Sequence, residues 1–239
     1  VGKRSDLILT VSSRSRSDII KCLNIPEVEH DKVKTIYNGV GEQFSPSSEK
    51  DEKKEKVILY VGRADPYKNL STLMKAFGRV IKDGKVKARL IIAGSADRRY
   101  PEADELARDL GIAGSVSRQG YLDGKDLVEI YRNADVLVHP SRYEGFGLQI
   151  LEAMSCGVPV ISSNGGSLPE VAGDAGILVS PDDVDSFTAK ITQVLTDPVL
   201  ARDMSEKGIK HAAKFTWRKT AEKTMECYQE LQRKNNSLK

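Results

Sequence analysis

One stretch limits what this chain can become: residues 139–161, His-Pro-Ser-Arg-Tyr-Glu-Gly-Phe-Gly-Leu-Gln-Ile-Leu-Glu-Ala-Met-Ser-Cys-Gly-Val-Pro-Val-Ile. The apolar run before it, residues 134–138, reads as a buried strand, and residues 158–161 read as another. Between them a glycine-rich loop, residues 144–147, opens a helix over 148–155, which Gly157 terminates. A strand–loop–helix–strand unit of this kind puts flexible backbone and a helix amino end at the carboxyl edge of a parallel sheet. Open amides and the helix dipole there favour an anion, phosphate above all.

The helix carries a second clue. Leu148, Ile150, Leu151, Ala153 and Met154 cover most of its circumference, so it is expected between sheet and neighbours. Glu152 nevertheless sits on it, three residues from Gln149 on one face. A buried carboxylate without partners costs several kcal/mol, so Glu152 needs a cation, hydroxyl donors or a cleft. Glu144, in the loop, points into the same region. The plain alternative is an edge carboxylate beside an arginine and a solvated loop acid.

Strands and helices then alternate along most of the chain. Residues 57–61, 88–93, 116–119 and 176–179 read as further strands. Residues 69–81, 101–110, 124–132, 187–195 and 199–214 read as helices, and a turn and helix follow Gly165. Such alternation implies crossover units and a parallel sheet covered on both faces, an α/β fold whose ligands bind at the carboxyl ends of the strands. Before it, residues 6–12 and 33–37 read as strands flanking a helix over 15–23, too little to bury a core alone. A polar, charge-mixed run around residues 45–56 reads as a linker.

With 239 residues, a formal charge of +3 and 30% charged residues, the chain is an ordinary globular protein and not a nucleic-acid binder. Cys22, Cys156 and Cys227 are odd in number and widely spaced, which fits reduced thiols in a cytoplasmic protein. No apolar run approaches the ~18 residues of a membrane span, and no signal peptide is apparent. Lys3, Arg4, Arg14, Arg16 and Lys21 make the start basic. A solvated face is the plain reading; peripheral contact with an acidic membrane surface, at its inner face, is the other. The chain begins at Val1 in mid-pattern, which reads as a piece of a longer protein or a processed end.

Two cations fall at the predicted carboxyl edge. Arg63 follows the first strand of the main sheet, next to Gly62, and Lys68 precedes the next helix. A guanidinium can grip a phosphate with two parallel hydrogen bonds and a lysine adds a compact charge, at roughly 1.5–3 kcal/mol for each such bond. The competing reading pairs Arg63 with Asp65 and leaves Lys68 as plain surface.

Together, Gly62-Arg63 through Lys68, the His-Pro-Ser-x-x-Glu-Gly-Phe-Gly loop, Glu144 and Glu152 with seven residues between them, and Gly157-Val-Pro-Val resemble the C-terminal, donor-binding half of family 4 (group 1) retaining glycosyltransferases. Asn38-Gly39-Val40 followed by Phe44 is similar to the interdomain stretch of that family, so the likeness covers nearly the whole chain. It implies the C-terminal domain of a GT-B fold, a Rossmann-like parallel sheet with helices on both faces. Residues 1–41 would end a truncated acceptor domain, 42–56 would be the interdomain linker, 57–214 the donor domain, and 215–239 a helix crossing back. Residue by residue, Gly62, Arg63 and Lys68 would meet the diphosphate of a nucleotide-sugar. Glu144 and the backbone of Phe146, Gly147 and Leu148 would meet the sugar and the adjacent phosphate. Glu152 would take the ribose diol, and Tyr121 and Leu122 would lie beside the base. Catalytic weight would fall on Glu144, Arg63 and Lys68. The donor, with UDP or GDP as its nucleotide, would be the ligand, with no cofactor and no metal. The carbohydrate or lipid-linked acceptor would come through the first domain. The family also places a histidine near the transferred sugar from that domain; His30, His139 and His211 do not match it. This chain alone is therefore expected to bind donor without transferring it.

Rivals fit less well. A nicotinamide-dependent dehydrogenase needs Gly-x-Gly-x-x-Gly after its opening strand, and Gly62-Arg-Ala-Asp-Pro-Tyr lacks the second and third glycines. A sugar-nucleotide epimerase or phosphorylase of the same architecture and a non-catalytic nucleotide-binding module remain alternatives, the phosphorylase without an assignable pyridoxal phosphate lysine. Asp183-Val-Asp185 has the form of a metal motif, yet acids at a helix start cap amides and suit the dipole, and that reading is preferred. Trp217, Ala221, Met225 and Tyr228 form a stripe at helical spacing, suited to packing against protein and, in this chain alone, expected to expose apolar surface or repack on residues 1–41.

Overall fold

The computed structural model describes residues 5–47, 55–95 and 102–237. The basic Lys3 and Arg4, the middle of the predicted linker (48–54) and the predicted helix start at Pro101 lie outside them.

In chain order the elements are β1 (Ile8–Thr10), α1 (Ser13–Cys22), β2 (Val33–Thr35), β3 (Lys56–Val61), α2 (Leu70–Asp83), β4 (Ala88–Ala93), α3 (Glu102–Asp109), β5 (Val116–Gly120), α4 (Gly124–Arg132), β6 (Val136–His139), α5 (Leu148–Ser155), β7 (Val160–Ser163), α6 (Leu168–Ala172), β8 (Ile177–Val179), α7 (Val184–Thr196), α8 (Pro198–Ala212) and α9 (Trp217–Ser237). β1 and β2 pair in parallel across α1. The other six strands form one sheet in the order β5-β4-β3-β6-β7-β8, parallel throughout.

Alternation along each strand divides its side chains between two cores. Ile58 and Tyr60 of β3 face α2 and α7, with Leu73, Phe77 and Phe187 among their neighbours. Val57 and Leu59 face α4 and α5, with Tyr131, Ile150, Leu151 and Met154. Burial on both faces is why these strands are continuous apolar runs in the sequence. On α2, Leu70, Leu73, Met74, Phe77 and Val80 are buried at helical spacing, and Gly84 ends the helix with a left-handed φ of 66°.

β6 and β7 each start two residues later than the sequence predicts. Ala134 still closes α4, giving its N–H to the Tyr131 carbonyl at 2.8 Å, and the Asp135 carboxylate takes the Val57 N–H at 2.8 Å. Pro159 has no N–H, so β7 begins at Val160, although the Pro159 carbonyl accepts from Leu137.

The small unit at the start does lean on the large one. Tyr37 meets Phe146 and Phe215 with ring centres 6.0 and 5.7 Å apart. The described beginning of the predicted linker is packed as well: Phe44 stands edge-on to Tyr131, and Arg132 donates to the Ser45 carbonyl. Arg16 is not part of a free basic face, because its guanidinium holds the carbonyls of Val33 and His30. On α9, Thr220 donates to the Tyr37 carbonyl and Lys34 lies 3.9 Å from Glu230, so the helix returns beside the first unit. Its stripe is covered only in part, with Trp217, Met225 and Tyr228 each at least half exposed.

Candidate functional site

The strand order reverses between β3 and β6. Chains leaving β3 turn toward β4, and those leaving β6 turn toward β7, which opens a crevice at the carboxyl ends of these two strands. Arg63 and Lys68 come from the β3 side. His139 ends β6, and Glu144 lies in the loop that follows.

Lys68 and Glu144 meet there: the ammonium donates to Glu144 Oε1 at 2.6 Å, with both side chains 11% exposed. Lys68 is thus no surface lysine. His139 Nε2 lies 3.2 Å from the same oxygen and 3.3 Å from the Ser141 hydroxyl, while its Nδ1 is buried and has no hydrogen-bond partner among the described residues. Burial works to raise the Glu144 pKa, but the hydrogen bonds and charge of His139 and Lys68 outweigh it and bring it down to about 2. Arg63 is different. Its side chain is 63% exposed and its Nε stands 2.9 Å from Asp65, the pairing that competed with a phosphate role. Asp65 is nearly buried and only the guanidinium is open, so an incoming phosphate would share Arg63 with Asp65.

The frame around these side chains is tightly bonded. Tyr60 donates to the Arg63 carbonyl at 2.7 Å, and its own pKa is raised by burial. Asn69 donates to the carbonyls of Pro140 and Pro181, tying together the loops after β3, β6 and β8. Ser167 bonds the Glu144 loop from behind: its N–H and hydroxyl reach the Glu144 carbonyl at 3.1 and 3.0 Å, and the hydroxyl also reaches Phe146. Gly166 (φ 58°) backs onto the same loop, where a Cβ would lie 2.7 Å from the Glu144 nitrogen.

α5 begins at Gly147, whose φ of 99° suits glycine and which gives the helix no side-chain cap. The start of α5 therefore offers first-turn amides as donors for an anion, although the Ile150 N–H is already held by the Gly147 carbonyl at 3.1 Å. Phe146 is buried among Tyr37 and Phe215, so it presents backbone and not its ring.

Glu152 finds a protein partner. The Tyr131 hydroxyl donates to its Oε2 at 2.6 Å, which answers part of the demand that the sequence assigned to a ligand. Burial raises the Glu152 pKa against the opposing pull of that bond, and burial followed by the nearby carboxylate raises that of Tyr131. Gly62 sits at the end of β3, with its N–H on the Ala93 carbonyl. Tyr121 and Leu122 follow the edge strand β5; Tyr121 is 75% exposed, and Leu122 packs against the core.

Asp183 caps α7, accepting from the Ser186 N–H and hydroxyl, while Asp185 pairs with Arg79. That is the helix-start role expected of these acids. Sequence reasoning passed over His139, Asn69, Tyr131 and Ser167 as site-building residues. A signal existed for one of them, since a carboxylate in an apolar helix requires a donor nearby. A groove of about 710 Å³ lies at the other end of α5, lined by residues including Val40, Phe44, Ser155 and Trp217. Glu42 is the charged residue lining it, which makes it a poor place for phosphate.

The family model described as glycosyl transferases group 1 matches residues 42–211. Among curated relatives, the O-antigen chain mannosyltransferase B of Escherichia coli is 36% identical over 234 residues, covering 94% of this chain and 61% of its own length. An uncharacterized glycosyltransferase of Methanocaldococcus jannaschii is 34% identical, over 92% of this chain and 59% of its own length. The chain thus spans about three-fifths of the length of these two relatives. Among solved structures, sucrose-phosphate synthase from Thermosynechococcus elongatus superposes with a TM-score of 0.84 at 26% identity, covering 95% of this chain and 59% of that one. Anabaena HepE in complex with UDP and glucose gives 0.84 at 21% identity, over 95% and 64%, a likeness of fold.

Proposed function

The chain belongs to the group 1 glycosyl transferases, and from that premise we propose that it holds the donor in a retaining transfer of a hexosyl group from a nucleoside-diphosphate sugar to an acceptor hydroxyl. The observation that carries this reading is the convergence of Lys68, Glu144 and the uncapped start of α5 at the strand-order reversal, with Arg63 on its rim.

In this reading Arg63, Lys68 and the amides of Gly147 and Leu148 hold the diphosphate and stabilise the charge that grows on it as the bond from sugar to phosphate breaks. Glu144 accepts from sugar hydroxyls, Glu152 from the ribose, and the backbone of Tyr121 and Leu122 lies along the base. No metal is assigned, because Lys68 and Arg63 provide the positive charge. The acceptor, a carbohydrate or a lipid-linked one, is assigned to residues outside this stretch. Without it the positioning effect, which can carry ~7–11 kcal/mol of a barrier, is lost, and this chain binds donor without transferring it. The names of two relatives, the Escherichia coli enzyme and the MMP alpha-(1->4)-mannosyltransferase of Mycolicibacterium hassiacum, make mannosyl the first sugar to try. A place at the inner face of the membrane belongs to the same proposal; no helix among the described residues is long and apolar enough to cross one.

Calorimetric titration with GDP, UDP, ADP and NAD tests the reading. Saturable binding of at least one nucleoside diphosphate, and not of NAD, is expected. Binding of NAD alone, or of none of the four, contradicts it.

A further inference from the structure

The first turn of α1 contains Ser13, Arg14 and Ser15 and no acid of its own, although the positive end of a helix dipole favours one. Glu170, on α6 and more than 150 residues away in sequence, supplies it. Its carboxylate accepts from the Ser13 N–H at 2.9 Å, the Arg14 N–H at 3.0 Å and the Tyr37 hydroxyl at 3.0 Å. Three charge-assisted bonds on one carboxylate make a strong joint between the two units.

That joint reaches the candidate site. Ser15, one residue beyond the clamped amides, donates its hydroxyl to the Gly145 carbonyl at 3.2 Å. Tyr143, in the same loop, donates to Asp18 of α1 at 2.6 Å. The carbonyls of Glu144 and Phe146 on either side are held by Ser167, three residues before Glu170. All three consecutive carbonyls, 144 to 146, are therefore fixed from α6 and α1, and Glu170 ties those two helices to each other.

We propose that Glu170 is a positioning residue: by clamping the start of α1 it lets Ser15 lock Gly145, and so sets the Glu144 carboxylate and the Gly147 and Leu148 amides for the ligand. The ligand part of this inference rests on the donor-site reading; the mechanical part does not.

Amide hydrogen exchange of the 239-residue chain tests the mechanical part in Glu170→Ala, Glu170→Gln and Ser15→Ala. Exchange at the Ser167 and Ile150 amides, which the Glu144 and Gly147 carbonyls hold at 3.1 Å, is expected to quicken ~10-fold or more in Glu170→Ala, less in Glu170→Gln, with β6 and β7 unchanged, as for a local opening. Faster exchange confined to Ser13 and Arg14, with Ser167 and Ile150 as in the parent, overturns the proposal. Ser15→Ala cuts the link without touching the clamp, so it decides the matter if Glu170→Ala does not fold: quickening at Ser167 and Ile150 supports the proposal and its absence overturns it. Titration with GDP-mannose and UDP-glucose adds the functional arm. If either binds the parent chain, its affinity should fall in both Glu170→Ala and Ser15→Ala at a temperature where each variant is folded, and unaltered affinity overturns the positioning role. If neither binds the parent chain, the donor-site reading is what fails, and the exchange data still decide the clamp.

Discussion

Glu144 and Glu152 stand eight residues apart, on the loop before α5 and on α5 itself, and their surroundings act in opposite directions. Glu144 meets an ammonium and an imidazole, and its pKa falls to about 2 despite burial. Glu152 meets one neutral hydroxyl among apolar side chains, and burial raises its pKa. The loop end of the site is thus a charged cradle that a phosphate or a sugar can enter by exchanging partners. At the helix end a half-buried carboxylate takes its hydrogen bond from the Tyr131 hydroxyl. A ligand that brings hydroxyls would relieve Glu152, and one that brings negative charge would compete with Glu144 for Lys68.

The largest effect expected from this contrast is that of Lys68→Ala. It removes a proposed phosphate ligand and leaves Glu144 without its cation, so affinity for a nucleoside diphosphate should fall by roughly 1–3 kcal/mol, and stability should fall as well. Calorimetry and urea unfolding read the two separately. Tyr131→Phe should come next, destabilising the fold by about 1–3 kcal/mol because the Glu152 carboxylate loses its protein donor. A silent Tyr131→Phe would mean that solvent replaces the hydroxyl at Glu152 without cost, and the contrast with Glu144 would lose its basis.

Glutamine at the two positions sharpens the contrast. Glu152→Gln should weaken binding of the free nucleoside diphosphate, whereas Glu144→Gln should act mainly on the intact nucleotide-sugar. Equal losses for both ligands in both variants would remove the division of labour. The pH dependence of stability should also differ in sign. Glu144 has a lowered pKa, so its stabilising contribution is present above about pH 4.5 and fades as pH falls toward about 2. Glu152 has a raised one, so its contribution is present at low pH and fades as pH rises through its folded value. Unfolding of both glutamine variants against the parent at pH 3.5 and pH 7 checks this. The cost of Glu144→Gln should grow with pH, and that of Glu152→Gln should shrink.

Arg63→Ala should have the smallest effect, toward the lower end of about 1–3 kcal/mol on nucleotide binding, because the guanidinium is exposed and shared with Asp65. Its contribution should decline as salt rises, more steeply than that of buried Lys68.

Much of the fold is legible in the sequence because strands buried on two faces are written as apolar runs, and helices such as α2 as periodic stripes. The convergence of Arg63, Lys68 and Glu144 follows from that alternation, since parallel strands deliver the loops after β3 and β6 to one edge. What the sequence does not display is which polar groups satisfy one another. Tyr131 closes a helix and happens to face Glu152; Ser167, just before a five-residue helix, and Glu170, on it, make bonds that reach back more than 20 and 150 residues. Such pairings have no period and appear only when the sheet has assembled. The stripe of α9 shows the converse limit: helical spacing of Trp217, Met225 and Tyr228 gives the face they share but not how much of it is covered.

The central claim is that phosphate binds at the reversal of strand order and not in the groove beside Trp217. Amide and side-chain chemical-shift mapping during titration with GDP and UDP tests it most directly. The account predicts saturable shifts at Arg63, Lys68 and the amides of Gly147 and Leu148, with Val40 and Trp217 unmoved. Shifts centred on Val40, Phe44 and Trp217, with Lys68 and Gly147 unmoved, would contradict it.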